Sequence, residues 1–222
     1  MVGLLLPAAC ARCAAALRDR EVLCGVCRAA LGPTPDASDV RSAQPALDAG
    51  VAAVWFEREA ADWIRRFKYP RRGLMSFDAA ARAVVIDLAR RAAAAAPMPA
   101  PDRVIPIPLH ARSLRRRGFN PAAILARSVA RAIGRPCDAT ALVRTRDTAS
   151  QTGLSRRERR RNVRGAFAPR GPQPGCVWLV DDVVTTSATL AEAARVLRAA
   201  GVRRVVGICA ARTPPPAHKR GG

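Results

Sequence analysis

The chain has 222 residues, half of them apolar, and 38 Lys and Arg against 17 Asp and Glu give a formal net charge of +21. That length holds one α/β domain with a small appendage, and that apolar share excludes wholesale disorder. Aromatics make up only 4%, so the core must be Ala, Val, Leu and Ile, and the charge points to anionic partners: phosphorylated metabolites, nucleic acid or an acidic protein.

The N-terminus opens the element order. Leu4, Leu5 and Leu6 precede a cysteine, but no Lys or Arg comes before Cys10 and Pro7 interrupts the run. The start therefore does not read as an export signal, no stretch reaches the roughly 18 apolar residues of a membrane helix, and a cytoplasmic chain without membrane insertion is expected. Cys10-x-x-Cys13 and Cys24-x-x-Cys27 follow, ten residues apart. Two such knuckles bring four thiolates to tetrahedral reach, which suits a structural Zn²⁺ with no open position. Disulfides and unpaired thiols are the alternatives. Haem attachment is excluded, since Ala14 and Arg28 stand where a His would be needed. Residues 1–31 read as a four-cysteine zinc-binding module and 32–48, with three prolines, as a linker. Cys137, Cys176 and Cys209 are isolated and read as small core residues.

From residue 49 strands and helices alternate. Gly50–Phe56 suits a strand, and Glu57–Tyr69 a helix with Ala60, Ile64 and Phe67 at helical spacing. Ser76 is placed to cap an Ala-rich helix reaching Ala96. Arg103–Pro108 reads as a buried strand, and Asn120 as the cap of a helix with Pro121 at its first position and Gly134 at its end. Residues 145–164 show no apolar period and read as a polar functional loop. Cys176–Val180 is a strand, Asp181–Ser187 a loop, Ala188–Ala200 a helix ended by Gly201, and Arg203–Ala210 a strand. That closing βαβ unit implies parallel pairing. Residues 213–222, with three consecutive prolines, read as a disordered tail.

The chemistry concentrates at the end of the 176–180 strand. Ligands bind at the carboxyl ends of parallel strands, and Asp181 and Asp182 stand there. Two adjacent carboxylates can accept hydrogen bonds from the vicinal hydroxyls of a ribose and hold Mg²⁺ through water. Val183, Val184, Thr185, Thr186, Ser187, Ala188 and Thr189 follow, opening a helix whose N–H groups and hydroxyls can cradle a phosphate. Together they fit the two ends of a ribose 5-phosphate. An Asp-rich helix cap is the plain alternative.

This arrangement resembles the motif that binds 5-phosphoribosyl-1-pyrophosphate (PRPP) in type I phosphoribosyltransferases. Further segments narrow the likeness to the ComF (competence protein F) family. They are the cysteine knuckles, Trp63–Tyr69, Ile105–Leu109, Arg112, Arg117–Asn120, Arg144–Thr148, Gln151, Leu154, Arg159, Asn162 and Gly165–Phe167. The resemblance implies a central parallel sheet flanked by helices, with Arg112, Arg117 and Gly118 in a pyrophosphate loop and Lys68 as a further phosphate contact. It implies a mobile loop carrying Gln151, Arg159 and Asn162, with Mg²⁺ accompanying PRPP. At Ser187 the family pattern usually has Gly, which would strain this chain if the backbone there needs a positive φ.

The resemblance further implies a glycosyltransferase that moves a phosphoribosyl group to an unidentified acceptor, linked to DNA uptake in natural transformation. Two other readings stand beside it. One is a non-catalytic module for single-stranded DNA, since residues 111–170 carry sixteen Arg against three acids. The other is a PRPP sensor. The cysteine module could dock a competence helicase or another DNA-uptake protein.

Overall fold

The computed structural model describes residues 9–17, 21–36, 46–69, 78–97, 99–147, 156–173 and 175–215. Four parallel strands form the central sheet: β1 (Ala49–Trp55), β2 (Arg103–Pro106), β5 (Cys176–Val184) and β6 (Arg204–Arg212), in the order β1-β6-β5-β2. Strands buried on both faces are what the unbroken apolar runs predict.

Alternation along β5 divides the core. Trp178 and Val180 point to one face, where they meet α2 (Arg58–Lys68), α3 (Ala79–Ala94) and α5 (Pro121–Ala132). Val177 and Leu179 point to the other, under α7 (Ala188–Ala199). Helix α2 buries Ala60, Ala61, Trp63, Ile64 and Phe67, the apolar stripe legible in its sequence. Helix α5 begins where expected: the Asn120 side chain accepts from the Ala122 N–H at 3.1 Å and donates to the Ile107 carbonyl at 3.0 Å. Gly134, at φ 64°, lets the chain turn back after it. Helix α3 is capped by Asp78, whose carboxylate accepts from the Ala81 N–H at 2.8 Å. Ser76 lies outside the described residues.

Four elements differ from expectation. Arg112–Arg117 are not a loop but lie in α4 (Ala111–Arg117), capped by His110 and closed by Gly118 at φ 85°. An antiparallel pair, β3 (Leu142–Arg144) and β4 (Phe167–Pro169), packs Leu142 and Phe167 against the α7 side of the sheet. Between them the expected loop contains α6 (Arg156–Val163). Arg and Glu are good helix formers, and this helix has no apolar stripe to announce it. The N-terminal unit adds α1 (Gly25–Ala29), and its Leu17, Leu23 and Leu31 join the same apolar cluster as Trp63, Phe67 and Val84. Among the described residues no helix is long and apolar enough to cross a membrane.

Two anchors fall in segments read as linker and tail. The Asp48 carboxylate accepts from the Val205 N–H at 2.7 Å and from Arg198 at 2.6 Å. The Thr213 N–H donates to the Val184 carbonyl at 2.9 Å, continuing the β6 ladder.

Candidate functional site

Strand β5 does not stop at Val180. It runs through both aspartates, with Asp181 opposite Cys209 and Val184 opposite Arg212, because β6 is longer than its apolar run suggested and offers partners that far. Period-2 alternation then sends the two carboxylates to opposite faces of the sheet. Asp182, only 7% exposed, turns to the α2 side and pairs with Lys68, Nζ to Oδ1 at 2.8 Å. The same oxygen accepts from the Val183 N–H at 2.7 Å. Asp181, half-buried, accepts from the Asp182 N–H at 2.9 Å.

This geometry sets the charges. Desolvation and the neighbouring Asp182 charge push the Asp181 carboxyl up to about 7, against the opposing pull of Lys68, the Asp182 N–H and Arg144. Burial works against the Lys68 ammonium, yet the charge and hydrogen bond of Asp182, with Asp181 behind it, hold its pKa above the usual lysine value. Lys68 is therefore a permanent cation at neutral pH.

Around the pair lies a cavity of about 500 Å³. Every strand of the central sheet contributes to it from its carboxyl end: Phe56 after β1, Ile107 and Leu109 after β2, Asp181 to Ala188 along and after β5, and Thr213 after β6. Of the residues singled out in the sequence, Lys68, Arg117, Asp181, Asp182, Val183, Val184, Thr185, Ser187, Ala188 and Thr189 line it. Thr186, Arg112 and Gly118 do not, and Arg112 instead lies 3.9 Å from Asp147. Gln151 lies outside the described residues, as does the Arg159 side chain. Asn162 sits in α6, where its carbonyl accepts from Arg146 at 3.0 Å. Sequence reading assigned Arg144 no role, but it lines the cavity from β3, with its guanidinium 5.5 Å from the centre of the Phe167 ring. Its signal was its place in the Arg144–Thr148 segment of the family resemblance. Arg117 reaches the cavity from α4, stacks 4.9 Å over Tyr69 and donates to its hydroxyl at 2.9 Å.

The floor is the start of α7. Ser187 caps it at φ 57°, the left-handed conformation that glycine adopts freely. The residue is only 3% exposed, and its Oγ has no hydrogen-bond partner among the described residues. A non-glycine residue there carries about 1–2 kcal/mol of strain. Ser187→Gly should therefore raise the melting temperature by about 2–4 °C for each kcal/mol relieved. A melt that shows no rise would mean that the serine is compensated by contacts that glycine forfeits.

The four N-terminal cysteines form the second cluster. Their sulfurs all lie within 4.8 Å of one another, and Cys13 and Cys24 are 3.7 Å apart. Tetrahedral Zn–S bonds of about 2.3 Å require sulfurs about 3.8 Å apart, so the donor set fits zinc. The Cys24 N–H points at the Cys10 sulfur at 3.4 Å, and Ala14 turns the first knuckle at φ 60°. Desolvation would raise the Cys10 thiol, but backbone N–H groups of Cys13, Cys24 and Arg12 bring it down to about 6. Burial and hydrogen bonds with Cys13 and Cys24 push Cys27 up to about 12. Among the described residues this is the only group of three or more His, Cys, Asp or Glu that could hold a metal ion. No disulfide joins any of the seven cysteines.

The chain is 34% identical over 208 residues to DNA utilization protein YhgH of Salmonella typhi, covering 92% of this chain and 90% of that one. It is 42% identical over 114 residues to the protein of that name from Escherichia coli K12, about half of each chain (51% and 50%). It is 37% identical over 109 residues to competence protein F of Haemophilus influenzae, covering 47% and 48%. The chain belongs to the family of DNA utilization protein YhgH and competence protein F. No protein-family profile matches it. Among solved structures, a glutamine PRPP amidotransferase from B. subtilis overlaps 72% of this chain and 32% of its own, at 20% identity and a TM-score of 0.47.

Proposed function

We propose that the chain binds PRPP in the cavity at the carboxyl edge of the sheet and transfers its phosphoribosyl group to an acceptor. One observation supports this most directly. The acidic pair and the start of α7, with its buried Ser187 hydroxyl unpartnered among the described residues, open into one cavity of about 500 Å³. The 5-phosphate meets the first N–H groups of α7 and the Thr185 and Ser187 hydroxyls. The ribose hydroxyls donate to Asp181 and Asp182. Arg117 from α4 and Arg144 from β3 face the pyrophosphate, whose bond to C1 breaks as the acceptor's bond to C1 forms. Catalysis comes from positioning and from charge placed where the leaving group develops it. Mg²⁺ accompanying PRPP would neutralise pyrophosphate charge beside Arg117 and Arg144. The four cysteines hold a structural Zn²⁺.

A second reading, a module for single-stranded DNA, is favoured by α4. It buries no side chain, and its last turn carries Arg115, Arg116 and Arg117. Such binding would weaken steeply with salt. The names of the relatives fit either reading.

The test is calorimetric titration of PRPP from pH 6 to 8. Asp181 accepts ribose hydroxyls best when ionised, so affinity should rise with pH through about 7. Asp181→Asn should keep the fold, lose at least about tenfold in affinity, and flatten that pH dependence. Equal binding by the variant would remove the site assignment, and binding that falls with salt and not with Asp181→Asn would favour the DNA module.

A further inference from the structure

We infer that Lys68 is the resident counter-ion of the acidic pair, so the ribose end of the cavity needs no divalent metal. This deepens the proposed ribose-phosphate reading and rests on it. The expectation from the sequence was a Mg²⁺ held through water by Asp181 and Asp182. The observed donor set does not fit one. Asp182 Oδ1 is already engaged twice, by the Lys68 ammonium at 2.8 Å and by the Val183 N–H at 2.7 Å. One Asp181 oxygen is taken by the Asp182 N–H at 2.9 Å. Alternation along β5 also turns the two carboxylates to opposite faces, so they do not converge on one ion. A divalent cation prefers several oxygens around it in near-octahedral order, and among the described residues no group of three or more carboxylates offers that.

The charges lining the cavity agree. They are Lys68, Arg117 and Arg144 against Asp181 and Asp182, so cations already outnumber anions before any metal arrives. A dication bound at Asp182 would have to displace an ammonium or sit beside it. Lys68 owes its place to the fold. It is the last residue of α2, next to Phe67, which is fixed in the core, and the negative end of the helix dipole favours a cation there. The lysine thereby orients the Asp182 carboxylate toward a sugar hydroxyl and balances its charge. It acts as a positioning residue, through Asp182.

Ribose 5-phosphate separates the two ends of PRPP, because it has the diol and the phosphate but no pyrophosphate. Wild-type protein should bind it equally in EDTA and in millimolar Mg²⁺. Lys68→Met should lose at least about tenfold in EDTA and recover part of that loss when Mg²⁺ is added, while Lys68→Arg should stay insensitive to EDTA. Wild-type binding that requires Mg²⁺ overturns the inference without any variant. Wild-type-like binding by Lys68→Met in EDTA overturns it as well. The Asp181→Asn variant distinguishes the two levels. If it binds ribose 5-phosphate as the wild type does, the site assignment itself fails. If it loses binding while Lys68→Met keeps it, the site stands and the role of Lys68 falls.

Discussion

Stripping metal from Cys10, Cys13, Cys24 and Cys27 should unfold the N-terminal unit and lower the melting temperature of the whole chain. About thirty residues cannot bury enough surface to order themselves, so metal binding supplies their folding energy, about 10–16 kcal/mol in isolated zinc-binding peptides. Here only a part of that reaches the rest of the fold. The route is visible in the packing. Cys10, Leu17, Leu23, Cys27 and Leu31 belong to the same buried cluster as Trp63, Ile64 and Phe67 of α2. Arg12 also pairs with Glu59 on that helix, but both side chains are partly exposed and the pair adds little. Loss of the unit would bare one side of α2, the helix that delivers Lys68 to the cavity. A loss of at least about 3 kcal/mol is expected, since several buried leucines are involved. That corresponds to roughly 6–12 °C in a chain of this size. Calorimetric melts with and without a strong chelator, and of Cys13→Ser and Cys24→Ser, measure it. Protease resistance of residues 9–31 reports the local unfolding. A chelated protein with the same melt and the same resistance would rule out a metal-supported fold.

Much of this architecture was legible because β5 and β6 are apolar on both faces and are joined by a helix. That pattern leaves little but a parallel pair. Asn120–Pro121 and Gly134 marked α5 in the same way, through residues whose backbone preferences are strong. What escaped the sequence had no such local signature. Strand β5 continues through Asp181 and Asp182 because β6 supplies a partner beside them, and no feature within the segment reports that neighbour. The apolar rule had ended the strand at Val180, since two carboxylates do not read as sheet. Helix α6 escaped for the opposite reason: its residues favour a helix, but Val163 is its one apolar residue, and that residue is buried. The candidate site was half legible. The acidic pair and the start of α7 are contiguous, whereas Arg144 comes from β3 and Phe56 follows β1, and only the fold brings them together. The positive φ at Ser187 is the case where a residue-level suspicion met its geometry.

Asp182→Asn should destabilise the protein by about 3 kcal/mol, and Lys68→Met by a comparable amount, yet the double variant should cost clearly less than their sum. Removing one partner leaves the other charge buried, while removing both leaves only altered packing. The exposures support a real coupling: the Lys68 side chain is 22% exposed and that of Asp182 10%, so water screens the 2.8 Å contact only in part. Linkage gives a further check. Folding raises the Lys68 pKa, so its contribution is fully present below the ordinary lysine value of 10.5 and is lost as pH rises through the higher folded value. Asp181 ionises near 7 beside the pair, so urea melts of the four proteins at pH 8.5 and pH 9.5, above that titration and below the lysine value, should return the same coupling energy. Additive losses would reduce the pair to a chance contact. A coupling that survives in the melts but leaves ribose 5-phosphate binding untouched in Lys68→Met would make the lysine a purely structural partner of β5. Coupling in both measurements would mean that the contact fastening α2 to the sheet also prepares the ribose end of the cavity. In that case the affinity of the site cannot be changed at Lys68 without also changing the stability of the fold.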